Sequence, residues 1–271
     1  YIKFEELKKY IYENKKTLVI AVSQSGETAD VMDAVKTAKK AGSQVIAIVN
    51  VMGSSLMRLS DESIQMNCGP EVCVLSTKSY TAQIAILLLL AYSVAGKTEQ
   101  GKKLVMDTAA KVEHTINSTQ EIAKELAKKL KDKKDLFLIG RDLAFPSAME
   151  GALKIKEVSY IHAEGFAGAE LKHGTIALIE EGVPVIVLST QETRPLILSN
   201  AQEIKSRGAF IIGIDCEQNK LFDSFIKVED AGNANPILMI IPIQLLAYYL
   251  AVKKGLDPDR PRNLAKSVTV K

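Results

Sequence analysis

The sequence predicts an α/β protein made of two related halves, each a mostly parallel sheet flanked by helices. Three observations carry this expectation. Short runs of apolar residues read as strands buried on both faces, segments with helical apolar spacing follow them, and one spacing recurs. Ser23 to Gly42 and Ser189 to Gly208 each span 19 residues from a polar loop to a helix-ending glycine, the kind of internal repeat that marks a duplicated unit.

The elements follow in order. Thr17-Leu-Val-Ile-Ala-Val22 is a strand, and Ala29 to Lys40 is a helix with Val31, Ala34, Val35 and Ala38 on one face. Gly42 caps that helix, and Val45 to Val49 is the next strand, which completes a βαβ unit and implies a parallel sheet. Val72 to Leu75 reads as a further short strand before the polar turn Ser76-Thr-Lys-Ser79 and an uncharged helix to Gly96. From Lys102 to Lys134 the chain is charged and helical. Ser118 followed by Glu121 has capping-box spacing, which predicts a helix restart and a boundary near residue 120. In the second half Val183 to Leu188 is a strand, Ser189 opens a loop, Gly208 ends a helix and Phe210 to Ile214 is a strand. The expected division is residues 1–120, residues 121–256 and a tail of residues 257–271.

Composition narrows the function. Of 271 residues 47% are hydrophobic and 25% charged, with 16 Gly and 8 Pro, which excludes fibrous and disordered classes. The net charge is only +3 and no dense basic block stands out, so no nucleic-acid partner is expected and an anionic ligand must be met by a local site. Cys68, Cys73 and Cys216 lack disulfide or zinc spacing, and no secretory signal is visible, so the expected setting is a reducing cytoplasm. Ile237 to Val252 imitates a membrane span, but Pro242 and Gln244 interrupt it. A buried core helix, with no membrane partner, is the expectation.

The strongest local signal is Ser23-Gln-Ser-Gly-Glu-Thr28, between a strand and a helix. Hydroxyls, an amide and the free N–H groups of a helix N-terminus can surround a phosphate, or one hydroxyl can simply cap the helix. Neither G-x-x-x-x-G-K-[ST] nor G-x-G-x-x-G occurs. Glu150, Lys154 and Glu157 share one helix face at i, i+4 and i+7, ordinarily a surface salt-bridge ladder. The following stretch, Ile161 to Gly174, holds His162, Glu164, Glu170 and His173, groups able to move protons near neutrality. Their spacing fits no familiar metal site, and no metal is expected. In the tail, Lys266 could form a Schiff base if enclosed, or be a solvated terminal lysine.

These motifs together resemble the isomerase domain of the glutamine–fructose-6-phosphate aminotransferase (glucosamine-6-phosphate synthase) family, built from two sugar isomerase (SIS) subdomains. The resemblance runs nearly end to end. It rests on Ser23-Gln-Ser-Gly-Glu-Thr-Ala-Asp30, Gly53-Ser-Ser55, Ser76-Thr-Lys78, Glu150-Gly-Ala-Leu-Lys-Ile-Lys-Glu157, Tyr160-Ile-His-Ala-Glu164, Glu170-Leu-Lys-His-Gly174 and Arg262-Asn-Leu-Ala-Lys-Ser-Val-Thr-Val270. It implies two flavodoxin-like three-layer αβα subdomains, a fructose 6-phosphate substrate and no cofactor. By the resemblance, Ser23, Gln24, Ser25 and Thr28 cradle the sugar phosphate, and Val74, Ser76 and Ala265 line the sugar site. His173 would help open the fructose ring in a neighbouring subunit of a homodimer. Lys266 would form an imine at C2, and Glu157 would move the proton between C1 and C2 beside Lys154. Glucosamine 6-phosphate is the implied product once a glutaminase domain supplies nitrogen.

The sequence departs from the family pattern in places. Asp142 stands two residues after Gly140 where Gly is usual, and Cys73 also replaces a Gly. The family's opening strand and its phosphate-holding Gly-Thr-Ser turn have no counterpart before Thr17, and the glutaminase domain with its nucleophilic cysteine is absent. Glutamine hydrolysis is therefore not expected of these residues, and a partner segment or a rearrangement is expected at the sheet edge. A phosphosugar-binding module without catalysis, and an inactive truncation, are the alternatives.

Overall fold

The computed structural model describes residues 17–267. The expected gap before Thr17 and the extended Val268-Thr-Val270 lie outside the described residues. The described chain divides into two compact units, residues 17–86 with 263–267, and Leu87–Arg262.

The first unit is a three-stranded parallel sheet in the order β1-β2-β3. β1 (Leu18–Ser23) leads into α1 (Ala29–Lys40), which returns the chain to β2 (Gln44–Val49). α2 (Ser55–Leu59) and β3 (Glu62–Gln65) follow. β2 is central and buries Val45, Ala47, Ile48 and Val49 completely, as a strand covered on both faces must. Ala21, Val35, Ala38 and Leu56 pack with it to form the core. Among the described residues β1 has one strand neighbour, β2, and Leu18 and Ile20 are 50% and 41% exposed.

α3 (Lys78–Val94) begins in this unit and ends in the second. There α4 (Thr98–Leu130) precedes a five-stranded parallel sheet in the order β5-β4-β6-β7-β8. β4 (Asp135–Gly140), α5 (Ala144–Ser159) and β5 (His162–Ala167) come first. Two 3₁₀ turns, Glu170–His173 and Thr175–Leu178, lead to β6 (Pro184–Leu188), α6 (Arg194–Lys205), β7 (Phe210–Asp215) and β8 (Ser224–Lys227). α7 (Asn235–Lys253) closes the unit. The segment Gly232–Lys253 is long and apolar enough to cross a membrane, but 72% of its apolar window is buried in the protein, which is the behaviour of a core helix.

Two expectations are corrected. Ser118 does not restart a helix: α4 runs unbroken through it, and the Ser118 hydroxyl donates to the Thr115 carbonyl within the turn. Val72 to Leu75 is not a strand but part of a loop, for a reason given below.

The repeat inferred from spacing is present in atomic detail. Gly42 and Gly208 both adopt positive φ, 85° and 90°, at matching helix ends. In the first unit, Asp61 Oδ2 accepts the Val45 N–H at 2.8 Å while Oδ1 pairs with Lys39 at 2.6 Å. In the second, Asp223 Oδ2 accepts the Ile211 N–H at 2.7 Å while Oδ1 pairs with Lys205. Each aspartate thus pins the start of a central strand to the helix before it. For Asp61 the Lys39 bond, then the Val45 N–H, holds the carboxyl below its usual range. For Asp223 burial pushes upward, but Lys205 and the Ile211 N–H outweigh it and the net shift is downward. Asp223→Ala should cost about 1.5–3 kcal/mol, the range for a hydrogen bond to a charged group. Hydrogen exchange should show the Ile211 amide losing protection before the rest of β7; unchanged protection there would refute the pinning role.

Candidate functional site

In the first unit the chain leaves β1 at Ser23 and enters α1 after Thr28, which places the loop at the carboxyl end of the sheet, where open parallel sheets hold ligands. The loop is built by its own hydroxyls. Ser23 Oγ lies 2.9 Å from Thr28 Oγ1 and accepts the Gly26 N–H at 3.0 Å, while Ser25 Oγ accepts the Glu27 N–H at 3.2 Å. Glu27, which composition alone did not single out, reaches across to accept the Ser55 N–H at 2.8 Å. That backbone bond is the main reason its carboxyl lies below the usual range. The Gly26 carbonyl accepts the Leu56 N–H at 2.9 Å, so the loop is tied to the start of α2.

Gly26 is required twice over. Its φ is +68°, and a Cβ there would stand 2.2 Å from Ser54 Oγ and 2.5 Å from Ser54 Cβ. Ser54 is buried, and its hydroxyl has no hydrogen-bond partner among the described residues.

An open cleft of about 640 Å³ lies beside the loop. Gln24, Ser25 and Lys266 line it, together with Asn50, Asn67 and Glu71, which the sequence reading did not identify. Asn50 follows β2 directly and holds the far wall: its Nδ2 donates to the Gly69 carbonyl at 2.8 Å and its Oδ1 accepts the Cys68 N–H at 3.2 Å. A polar residue directly past an apolar strand was the available signal for Asn50, whereas Asn67 follows the polar segment Glu62–Gln65 and had no such signal. Lys266 is half-buried, and its Nζ donates to the Cys73 carbonyl at 2.5 Å. It is therefore neither a loose tail nor in contact with solvent on every side. Val74 and Ser76 are half-buried on the neighbouring loop, and Ala265 is exposed.

The second unit carries the other candidates. The Glu150, Lys154 and Glu157 face is real but not a surface ladder: Lys154 is 2% exposed. Its Nζ stands 3.2 Å from Glu150 Oε1 and 2.8 Å from Glu157 Oε2. The second contact is an ion pair without hydrogen-bond geometry, and it leaves Glu157 Oε2 buried with no hydrogen-bond donor. Burial, helped by the negative charge of Glu157, pushes the Glu150 carboxyl up against the pull of Lys154. A buried lysine flanked by two acidic side chains is the kind of cluster that functional sites hold. His173 ends the first 3₁₀ turn and is exposed. His162 pairs with Asp135 at 2.8 Å on the surface, which accounts for it without chemistry. In the same unit the tail is laid against α5: the Arg262 N–H donates to the Tyr160 hydroxyl at 2.8 Å, and its guanidinium lies 4.1 Å from that ring's centre.

A family model described as the SIS domain matches residues 11–93 and 129–254. The chain is 45% identical to the glutamine–fructose-6-phosphate aminotransferase (isomerizing) of Thermococcus kodakarensis, over 98% of this chain and 47% of that protein. It thus spans about half the length of the curated relatives it matches. Among solved structures, the C-terminal domain of glucosamine-fructose-6-phosphate aminotransferase from Francisella tularensis superimposes with a TM-score of 0.81 at 32% identity, over 90% of this chain and 72% of that one. A glucosamine-6-phosphate deaminase from Thermotoga maritima superimposes with a TM-score of 0.82 at 25% identity, over 97% of this chain and 78% of that one.

Gly26→Ala should destabilise the first unit by more than the roughly 1–2 kcal/mol cost of a left-handed non-glycine residue, because the Ser54 clash adds to it. Adding Ser54→Gly should recover the clash and leave the backbone cost. A double variant no more stable than Gly26→Ala in denaturant titration would contradict this packing.

Proposed function

We infer the function from kinship: the chain belongs to the SIS domain family and, within it, to the isomerase domains of the glutamine–fructose-6-phosphate aminotransferases. On that premise we propose that it binds fructose 6-phosphate and carries the isomerase half of glucosamine 6-phosphate formation. The observation that carries the reading is the cleft in the first unit, where Gln24 and Ser25 of the hydroxyl loop and the Lys266 amine line one space.

Ser23, Gln24, Ser25 and Thr28 hold the phosphate with hydroxyls, an amide and backbone N–H groups, with the α1 N-terminus adding its dipole. Val74, Ser76 and Ala265 line the sugar. The Lys266 amine adds to the C2 carbonyl and water leaves, giving an imine that acidifies the C1 hydrogens. The Glu157 carboxylate takes a proton from C1 and returns it at C2, with Lys154 2.8 Å away beside it. Ammonia adds to the imine at C2 and releases the Lys266 amine before the proton moves, so the C1 hydroxyl becomes the aldehyde and the C2 nitrogen stays as the amino group of the aldose. His173, from the other subunit of a homodimer, opens the fructose ring, and a glutaminase domain supplies the nitrogen for glucosamine 6-phosphate. The proposed setting is cytoplasmic, in keeping with three cysteines whose spacing fits no disulfide framework. A module that binds sugar phosphate without turnover would have no use for Lys154 buried between Glu150 and Glu157.

Borohydride added with fructose 6-phosphate should reduce the imine and leave a stable sugar adduct on the peptide containing Lys266, and none in Lys266→Ala. Formation of glucosamine 6-phosphate from added ammonia should fall by about 10³-fold or more in that variant, as for loss of a covalent catalyst. An adduct spread over surface lysines, or unchanged turnover, would refute the assignment.

A further inference from the structure

Glu71 is buried, 9% exposed, yet carries a carboxylate. It accepts three hydrogen bonds: from the Thr77 N–H at 2.7 Å, from the Thr77 hydroxyl at 2.8 Å and from the Ser79 hydroxyl. All three donors come from the turn that opens α3. The segment from Glu71 to Thr77 is thereby closed on itself by its own first side chain. This is why Val72 to Leu75 does not extend as a strand: its ends are tied together, and the Leu75 N–H turns inward to Cys73 Sγ at 3.3 Å.

Three groups of interest lie on the closed loop. The Cys73 carbonyl is held out as the acceptor for Lys266 Nζ, and Val74 and Ser76 are the residues assigned above to the sugar. Glu71 also lines the cleft with Lys266. Burial pushes its carboxyl upward, but Ser79, Thr77 and the Lys266 charge outweigh this, so it stays ionised and able to accept all three bonds.

We propose that Glu71 is a positioning residue: its carboxylate clasps the loop of residues 71–77 so that the Cys73 carbonyl holds Lys266 at the mouth of the cleft and Ser76 faces the sugar. The proposal rests on the imine reading of Lys266 for its catalytic meaning, but the clasp itself is a property of the free protein and is tested without sugar. Lys266 is held only if the carbonyl is. Loss of the clasp releases the amine.

The experiment is trace acetylation of the free chain with acetic anhydride, with the peptide containing Lys266 quantified against that of exposed Lys97. In the unaltered protein Lys266 should label more slowly than Lys97. Glu71→Ala should raise Lys266 labelling by about tenfold, the factor expected when an anchored hydrogen bond is freed. Glu71→Gln keeps an acceptor oxygen for Thr77 and should stay within about twofold of the unaltered protein. Val35→Ala, a core truncation in α1 chosen to lower the melting temperature comparably, should leave Lys266 labelling unchanged, which separates positioning from general loosening. Should Glu71→Ala not fold, Ser79→Ala removes one clasp bond and should give an intermediate rise. Labelling that is unchanged in Glu71→Ala or Ser79→Ala, or that rises as much in Val35→Ala, would overturn the proposal. If instead the labelling behaves as stated but no borohydride adduct forms at Lys266, the clasp stands and the catalytic reading falls.

Discussion

Every strand pair in both sheets is parallel, and that constraint decides where chemistry can be placed. A parallel strand must hand its chain to a crossover on leaving the sheet, so all the outgoing loops gather at one edge. In the first unit Ser23 to Thr28 follow β1, Asn50 follows β2, and Asn67 comes two residues after β3. Residues far apart in sequence therefore share one cleft without any long-range motif to announce it. The same geometry explains how a chain of nearly balanced charge can offer an anion site. In the proposed cradle the donors are backbone N–H groups and hydroxyls at a helix N-terminus, and none of its four residues is basic.

Comparing the two units separates scaffold from chemistry. The aspartate that ties helix to central strand recurs, as do the glycine helix ends and the strand order from β1 to β3 and from β6 to β8. The outgoing loops do not recur. Ser23 is tied into its loop by two hydrogen bonds, whereas the matching Ser189 hydroxyl is buried without a partner among the described residues. In the second unit Arg194 is committed to Asp215 at 2.9 Å. The small cleft at that edge is lined by Asp142, Glu192 and Asp230. Acidic walls repel a phosphate. The two units of the duplicated fold thus differ in what their outgoing loops carry, and the second unit holds a buried Lys154 beside Glu150 and Glu157 on its α5 face.

Strands β1, β2, β6 and β7, the helix ends and the hydroxyl loop were legible in the sequence because each is a local property: apolar runs, positive-φ glycines and hydroxyls beside a helix start; β4, β5 and β8 were not read. The strand expected over residues 45–49 is observed as Gln44–Val49, and that over residues 210–214 as Phe210–Asp215. β3 escaped because Glu62-Ser-Ile-Gln65 is polar, as an edge strand can be. The loop after Pro70 was misread for the opposite reason. Val72 to Leu75 has the composition of a strand, and a bond from a side chain six residues away overrides it. Ser118 had the pattern of a cap, but a cap needs a helix end, and the burial of Thr115, Thr119 and Ala123 on one stripe carries α4 straight through. Lys154 could be placed on a face by spacing, while its burial could not.

The central claim is that the loop from Ser23 to Thr28 captures the phosphate of a hexose. The most direct measurement is calorimetric titration of the chain with fructose 6-phosphate, run in parallel on the Ser23→Ala, Thr28→Ala double variant. The account predicts saturable binding that weakens by about tenfold or more in the variant, since two hydroxyl contacts to a charged group are removed. Equal affinity in the two proteins, or no saturation in either at millimolar sugar, would contradict it.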